Sequence, residues 1–238
     1  FNASYNPRYG YDYYEPRVEG RKFLTPHVLW LQWWGSPDYR KTFVLDHRFS
    51  FWYADMYNQK GYMYSISPRI RFSDKLLTIY SWAYQSERNN IGYYDYDGSN
   101  IFFGSRKLVT ITNTLSIQFA FTAKSFLSIR ARHYIRHFKY NEFFTLKNDG
   151  SLEQTNSITN PANRNYNLFN IDMFYQWHFA PGSELVFAWK NQAEELLDNP
   201  QYLYFKNIEG IWNSPQNNSF SIKILYYIDY QMIRKFKS

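Results

Sequence analysis

The chain has 238 residues, no cysteine, a formal net charge of +7 and an aromatic fraction of 22%. The lack of cysteine excludes disulfide frameworks, thiol nucleophiles and zinc–thiolate sites. A mean hydropathy of −0.59, without a long uncharged apolar run, excludes a transmembrane helix of about 20 apolar residues.

Alternation of apolar and polar side chains predicts nine β-strands and no linker that would divide the chain. The predicted strands are 27–34, 41–54, 61–72, 76–87, 106–122, 126–145, 164–179, 184–194 and 217–231. Bacterial single-chain barrels use even strand numbers, so a tenth strand is expected from Tyr9–Val18 or from residues before Phe1. Any export signal is likewise expected to precede Phe1.

The segment from Lys107 to Arg136 carries the clearest signal. It reads as two strands joined by a tight turn, and each has one apolar and one polar face, a period of two that only β-structure produces. Unpaired buried charge costs several kcal/mol, so three arginines on one face do not fit a packed soluble core. The polar interior of a membrane barrel accepts them, which predicts that the apolar face contacts lipid.

This interpretation assigns residues to two environments. The residues predicted to face the lumen are Arg69, Arg71, Arg130, Arg132, Arg136, Asp172, Lys190, Lys223 and Asp229. The residues predicted to face lipid are Val109, Ile111, Leu115, Ile117, Phe119, Phe121, Ile171 and Ile224. The net-positive lumen set favours salt bridges that fill a narrow barrel over an anion pathway, because small barrels are filled by their own side chains.

The connections between strands alternate in length. Tight turns are predicted at 72–75, 123–125 and 180–183, and long polar links near 87–100, 147–163 and 193–217. Outer-membrane barrels have short periplasmic turns and long external loops, so the long links are predicted to be external and the C-terminus periplasmic. The predicted fold is an all-β, antiparallel up-and-down transmembrane β-barrel over residues 1–238, or the C-terminal part of a larger barrel.

Motifs for catalysis or metal binding are weak. His133 and His137 would lie about 13 Å apart on a strand, too far to share one ion. Glu194 and Glu195 would point to opposite faces or start a loop, which does not suit an acid and base across one glycosidic bond. No catalytic residue, metal or cofactor is predicted. Six tryptophans could stack on sugars or form interfacial girdles, namely Trp33, Trp34, Trp52, Trp82, Trp177 and Trp189.

Three sequence phrases resemble one known family: Ser65–Leu76, the hairpin at Thr122–Ser125, and Trp177–Trp189. They are similar to the C-terminal barrel region of the domain of unknown function 5916 family, whose members carry a family-nine-like carbohydrate-binding module ahead of the barrel. The resemblance covers roughly residues 40–231. It implies an outer-membrane location and a glycan-related role, and no functional residue is carried over.

Two functions are therefore predicted. The first is an integral outer-membrane β-barrel that acts as a channel, scaffold or membrane anchor within a cell-envelope complex of a Gram-negative-type bacterium. Its partners would be outer-membrane lipid and lipopolysaccharide, other envelope proteins and a glycan. The alternative is a secreted soluble β-sandwich that binds carbohydrate. No nucleic-acid partner is predicted, because the positive charge comes without a basic run or RNA-binding motif.

Overall fold

The computed structural model describes residues 1–228 as strands with one α-helix and one short 3-10 helix. The strands are β1 (Asn2–Asn6), β2 (Gly10–Asp12), β3 (Phe23–Thr25), β4 (Val28–Gly35), β5 (Phe43–Ala54), β6 (Gln59–Ser73), β7 (Leu76–Tyr96), β8 (Ile101–Thr122), β9 (Ser125–Leu146), β10 (Leu152–Thr155), β11 (Arg164–Ala180), β12 (Ser183–Leu197) and β13 (Gln216–Leu225). The 3-10 helix is Met56–Asn58 and the α-helix, α1, is Tyr204–Asn213. Asp229 and the last residues of the predicted strand 217–231 lie outside the described residues.

One antiparallel up-and-down sheet dominates the molecule, in the order β1-β4-β5-β6-β7-β8-β9-β11-β12-β13. Strand β10 pairs with the end of β9, and β2 and β3 form a separate two-stranded sheet. The all-β class and the up-and-down connectivity are thus confirmed. Within residues 1–228 the edge strands β1 and β13 do not pair with each other, so the described sheet is open.

All nine predicted strands are present, and most of their ends shift by one to three residues. The larger differences are that β7 continues to Tyr96, β8 begins at Ile101 and β13 ends at Leu225. The prediction that Tyr9–Val18 supplies a tenth strand of the main sheet is wrong, and the alternative of strands before Phe1 stays a prediction. The additional strand on the main sheet is Asn2–Asn6, which pairs with β4. Only three residues of the predicted Tyr9–Val18 segment are extended, and they belong to the small sheet. Asn2–Asn6 is entirely exposed and lacks apolar alternation, so the hydrophobic period could not find it.

The three tight turns are confirmed. Two residues separate β6 from β7, β8 from β9, and β11 from β12. In the last of these, Gly182 has φ of +68°, a left-handed conformation that glycine adopts without steric cost. Leu225 pairs with Glu184 beside this turn, so β13 runs towards the end of the sheet that carries the short turns.

The predicted long link at 87–100 is wrong over most of its length. Strand β7 continues to Tyr96, and only four residues separate it from β8. The pairing of β7 with β8 shifts between Glu87 and Asn90, and Asn89 has φ of 54°. Asparagine tolerates this conformation better than most residues. Asn89 and Asn90 therefore form a β-bulge inside a strand instead of a loop.

The other two long links contain secondary structure that the sequence pattern did not predict. Residues 147–163 include β10, and residues 198–215 include α1. Both links lie at the end of the sheet opposite the short turns, as does the 97–100 connection.

Beyond the bulge, β7, β8 and β9 extend past their neighbours and form a core with the N-terminal segment. We call it the distal core; its buried members are Phe23, Ile91, Ile101, Phe103, Phe144 and Leu146. The Phe23 and Phe103 rings lie 4.9 Å apart. The Arg21 guanidinium donates to the Leu146 carbonyl at 2.9 Å, and the Leu24 amide donates to the Gly150 carbonyl at 2.8 Å.

Apart from the area of β11 and β12 that α1 covers, the rest of the main sheet is one layer thick. Side chains on both faces of β11, for example Asp172 and Met173, remain partly exposed. The accessible surface is 15631 Å², against about 11,400 Å² expected for a compact monomer of 28.9 kDa. Within residues 1–228, none of the helices combines the length and apolar character needed to cross a bilayer.

Candidate functional site

One face of the main sheet gathers the predicted lumen residues. Directly opposed residues in antiparallel strands share a face, and one row contains Ser116, Arg130, Asp172 and Lys190. We call this side the polar face. The pairing places eight predicted residues on it: Arg69, Arg71, Arg130, Arg132, Arg136, Asp172, Lys190 and Lys223.

The opposite side gathers the predicted lipid-facing residues, and we call it the apolar face. One row contains Ile117, Ile129, Met173, Trp189 and Phe220. The pairing places all eight predicted residues on this face: Val109, Ile111, Leu115, Ile117, Phe119, Phe121, Ile171 and Ile224. The assignment of the two faces to lumen and lipid stays a prediction.

Val109 differs from the rest of this set because it is only 9% exposed. It pairs with His137, whose ring lies 5.2 Å from that of Tyr202 in the link before α1. The same row includes Asn165, which bonds to α1. Protein therefore covers most of the Val109 side chain, and its assignment to the lipid-facing set stays a prediction.

Ion pairs on the polar face are long and half exposed. Lys190 Nζ lies 3.8 Å from Asp172 Oδ1, and Lys223 Nζ lies 3.6 Å from Glu184 Oε1. The two lysine side chains are 59% and 63% exposed. Each pair contributes about 0–1 kcal/mol at most, so these charges are available to interact with other groups.

Two arginines of this face lie against aromatic rings. The guanidinium carbon of Arg69 is 4.8 Å from the centre of the Tyr39 ring, and that of Arg136 is 5.0 Å from the Phe138 ring. The Nε atom of each arginine is buried without a hydrogen-bond partner among the described residues. Cation–π contact thus holds both side chains close to the sheet.

Open depressions run along the polar face over β8, β9, β11 and β12. One of about 420 Å³ is bordered by Arg130, Asp172 and Lys190. The next, of about 440 Å³, shares Asp172 and Lys190 and adds Gln192. Charged and amide groups therefore border two adjoining open depressions, and the charged side chains named here carry a positive excess.

A second polar site lies on the apolar face under α1, and the sequence analysis missed it. We call it the covered polar cluster; its members are Asn113, His133, Asn165, Asn167, Glu195, Tyr204 and Asn207. The two asparagines at 165 and 167 are fully buried. Asparagines at 113, 165 and 167 interrupt the apolar register of β8 and β11, and that interruption is the signal that could have located the cluster.

Hydrogen bonds in the cluster form one directed chain. The Nδ2 atom of Asn167 donates a hydrogen bond to the Glu195 carboxylate at 2.8 Å. The Oδ1 atom of Asn167 lies 2.8 Å from His133 Nε2 and therefore accepts a hydrogen bond from it. The hydroxyl of Tyr204 lies 3.4 Å from His133 Nδ1 and accepts from Asn113 Nδ2 at 3.1 Å. Most polar atoms of the cluster are paired, as buried polar groups require, but Oδ1 of Asn165 is buried without a partner among the described residues.

Helix α1 contributes Asn207, Tyr204 and a close backbone approach to this cluster. Asn207 accepts from Asn165 at 3.0 Å, and its carbonyl accepts from Asn167 at 2.6 Å. A Cβ atom at Gly210 would overlap the Glu195 carboxylate, which explains a glycine in the middle of the helix. Burial raises the pKa of the Tyr204 phenol, and nearby Tyr80 is a second cause.

The weak sequence motifs have structural contacts here. His133 and His137 lie on the same face of β9 but contact different aromatic rings, those of Tyr204 and Tyr202. Glu194 and Glu195 lie within β12 and on opposite faces, so the expectation of a loop start was wrong. In residues 1–228 no three His, Cys, Asp or Glu side chains are grouped closely enough to hold a metal ion.

The six tryptophans divide between the faces. Four of them are on the apolar face: Trp33, Trp82, Trp177 and Trp189. Trp34 and Trp52 are on the polar face. Trp33 and Trp177 are 55% and 45% exposed, a distribution typical of amphipathic rings at an interface.

A family model described as "Domain of unknown function (DUF5916)" matches residues 1–237. The chain belongs to the DUF5916 family. The family assignment made from the hairpin phrases is therefore confirmed, over a longer stretch than residues 40–231. No curated protein and no solved structure matches this DUF5916 chain.

Proposed function

We propose that this DUF5916 chain is a membrane-spanning sheet of an outer-membrane β-barrel, which serves as an anchor, scaffold or channel in the cell envelope. The observation that carries the proposal is the apolar face of β7–β13. Between the row of Leu115 and Ile171 and the short turns, none of the described residues on this face is charged. We call this area the apolar belt.

The extent of the belt supports a bilayer as its solvent. On β11 it runs from Ile171 to Phe179, eight residue steps or about 27 Å at roughly 3.4 Å per residue. At strand tilts of about 35–45° it rises roughly 19–22 Å, most of the apolar band of about 25 Å on outer-membrane barrels.

The exposure of the belt supports the same conclusion. Phe220, Ile222 and Ile224 on β13 are 65%, 67% and 63% exposed. A large apolar side chain left in water forgoes about 1.5–3 kcal/mol relative to an apolar medium. Surfaces of this kind rarely stay exposed in soluble monomers, and they mark membrane or protein contacts.

A β-sandwich would cover the belt with a second sheet. Residues 1–228 provide only the two-stranded β2–β3 sheet besides the main one, and its Phe23 packs in the distal core. We therefore place lipid and lipopolysaccharide, not a second sheet, against the belt. The short turns and the C-terminus would be periplasmic, and the distal core and α1 would lie towards the outside.

On this proposal the polar face lines the barrel interior. Its basic residues and open depressions suit either anionic solutes, glycans included, or contacts with further barrel segments and envelope proteins. We favour a filled interior and hence an anchoring or scaffolding role, because the side chains of small barrels fill their lumen.

Membrane extraction tests the proposal. The protein in cell envelopes should stay in the membrane pellet through high-salt and carbonate washes and enter solution only with detergent. Release by either wash without detergent would contradict it. Conductance of the detergent-purified protein in planar bilayers then separates the roles, since a steady current supports a channel and its absence supports an anchor or scaffold.

A further inference from the structure

Helix α1 divides its exposed surface into an apolar side and a polar side. At 100° per residue, Phe205, Ile208 and Trp212 lie within about 60° of one another. Lys206 is about 100° from Phe205, and Glu209 lies between these two. Phe205 and Trp212 are 81% and 83% exposed, although large aromatic rings are usually covered. A third side, with Asn207 and Ile211, faces the sheet and is buried.

The apolar side of α1 borders an open cleft over the apolar face. The cleft has a volume of about 590 Å³. Ile208 and Trp212 form its helix wall, and Phe169, Ile171 and Trp189 form its sheet wall. Ile171 and Trp189 of the sheet wall belong to the apolar belt, so the cleft joins the apolar side of α1 to the belt, with Asn191 and Gln216 as polar residues in its lining.

The covered polar cluster explains why a helix is needed at this level of the sheet. Asn165, Asn167 and Glu195 interrupt the apolar face, and unsatisfied polar groups in hydrocarbon cost several kcal/mol each. Helix α1 bonds to all three of these side chains or lies against them. It replaces a polar outer surface by Phe205, Ile208 and Trp212.

We infer that α1 is an interfacial helix that lies in the membrane surface at the outer rim of the belt, with lipid acyl chains in the cleft beneath it. The inference rests on the proposed function, because the belt must be in lipid for α1 to reach it. The aromatic and aliphatic residues of α1 would lie towards the acyl region and Lys206, about 100° around the helix from Phe205, towards water, with Glu209 at the boundary. The continuity of the cleft with the belt identifies lipid as its occupant.

Single-cysteine labelling tests the orientation of α1, and the native chain has no cysteine to interfere. Phe205→Cys and Lys206→Cys would each carry an environment-sensitive fluorophore in the full protein reconstituted into phosphatidylcholine vesicles. Ile117→Cys reports the belt in parallel. Nitroxide-labelled phosphatidylcholine is the quencher. Both α1 positions are exposed, so neither substitution should disturb folding, and far-ultraviolet circular dichroism checks this.

We expect the quenching of the label at Phe205 to be at least about twice that of the label at Lys206. The reason is that an interfacial helix buries only its apolar side, by about 5–10 Å. A blue-shifted emission should accompany the quenching at Phe205 and Ile117. Equal quenching at Phe205 and Lys206, or quenching at Ile117 alone, would overturn the inference and leave the proposed function intact. Lack of quenching at Ile117 would overturn the proposed function and the inference with it.

Discussion

Strands β7, β8 and β9 pass through two regions that differ in how far their apolar side chains are buried by the rest of the protein. In the distal core, Ile101 and Phe103 are fully buried beneath the N-terminal segment. In the belt, which lies further along β8 towards the short turns, Leu115 and Phe121 are 39% and 46% exposed. The described residues cover the apolar side chains of the first region and leave those of the second partly exposed. The bulge at Asn89 on β7 lies between the two regions.

The largest expected effect comes from removing a buried ring of the distal core. Phe103→Ala should destabilise the protein by about 3–5 kcal/mol, because it removes a fully buried ring and leaves a cavity. Phe119→Ala in the belt should cost about 1–2 kcal/mol, since that ring is only partly buried by protein. Urea unfolding in detergent micelles measures both. Equal losses would mean that the two regions are packed alike.

The second prediction uses neighbouring residues on opposite faces of β8. Ile117→Arg should destabilise the protein in bilayers by about 2–4 kcal/mol, the cost of a cation near the midplane on the lipid side of a barrel. Gln118→Arg should be nearly neutral because its side chain is on the polar face. Reversible unfolding from lipid vesicles gives both values. If Gln118→Arg were the more damaging change, the two faces would be assigned the wrong way round.

The third prediction concerns the hydrogen bond that links the N-terminal segment to the distal core. Arg21→Met keeps the apolar stem but removes the hydrogen bond to the Leu146 carbonyl, which should cost about 1.5–3 kcal/mol. Arg8→Met, at an exposed position, is the matched control and should have no measurable effect. Hydrogen exchange should quicken around Phe103 but not around Ile117. Uniformly faster exchange would indicate that the two regions unfold as a single unit.

The smallest effect concerns the tip of the β7–β8 hairpin. Hydrogen bonds from the Asn100 and Ser99 amides hold the pKa of Asp97 below its usual value. A lowered folded pKa means that the stabilisation is present above the unfolded pKa and is lost as the pH falls through the folded one. Amide exchange at Ser99 and Asn100 should therefore become more protected as the pH rises through the acidic range, beyond the intrinsic rate change. Asp97→Asn should remove that dependence, and an unchanged profile would contradict the assignment.

Alternation predicted most of the sheet and the composition of its two faces. In the belt each residue sees either the apolar or the polar side, so a period of two reports the face directly, as at Ile117 and Gln118. The same rule failed at Glu87–Tyr96. There a bulge at Asn89 resets the register, and polar composition suggests a loop although the backbone stays paired.

Strand β1 and helix α1 could not be predicted, because their formation depends on contacts with other strands and not on a local hydrophobic pattern. Asn2–Asn6 is held by backbone pairing with β4 alone. Helix α1 sits in a link with prolines, and its burial of Asn207 against Asn167 depends on a strand far along the chain. The covered polar cluster left only an indirect trace, the asparagines in an apolar register.

The two unpaired rims of the described sheet have a consequence for handling residues 1–228 apart from their natural surroundings. Strand β13 is exposed throughout, and β1 is exposed at the other rim. If the β13 rim of one copy met the β1 rim of the next, the contact would be heterologous, and it would give a ring where the rotation closes or an open ribbon where it does not. We therefore expect edge-to-edge association of such a preparation in water, which detergent added during refolding should limit.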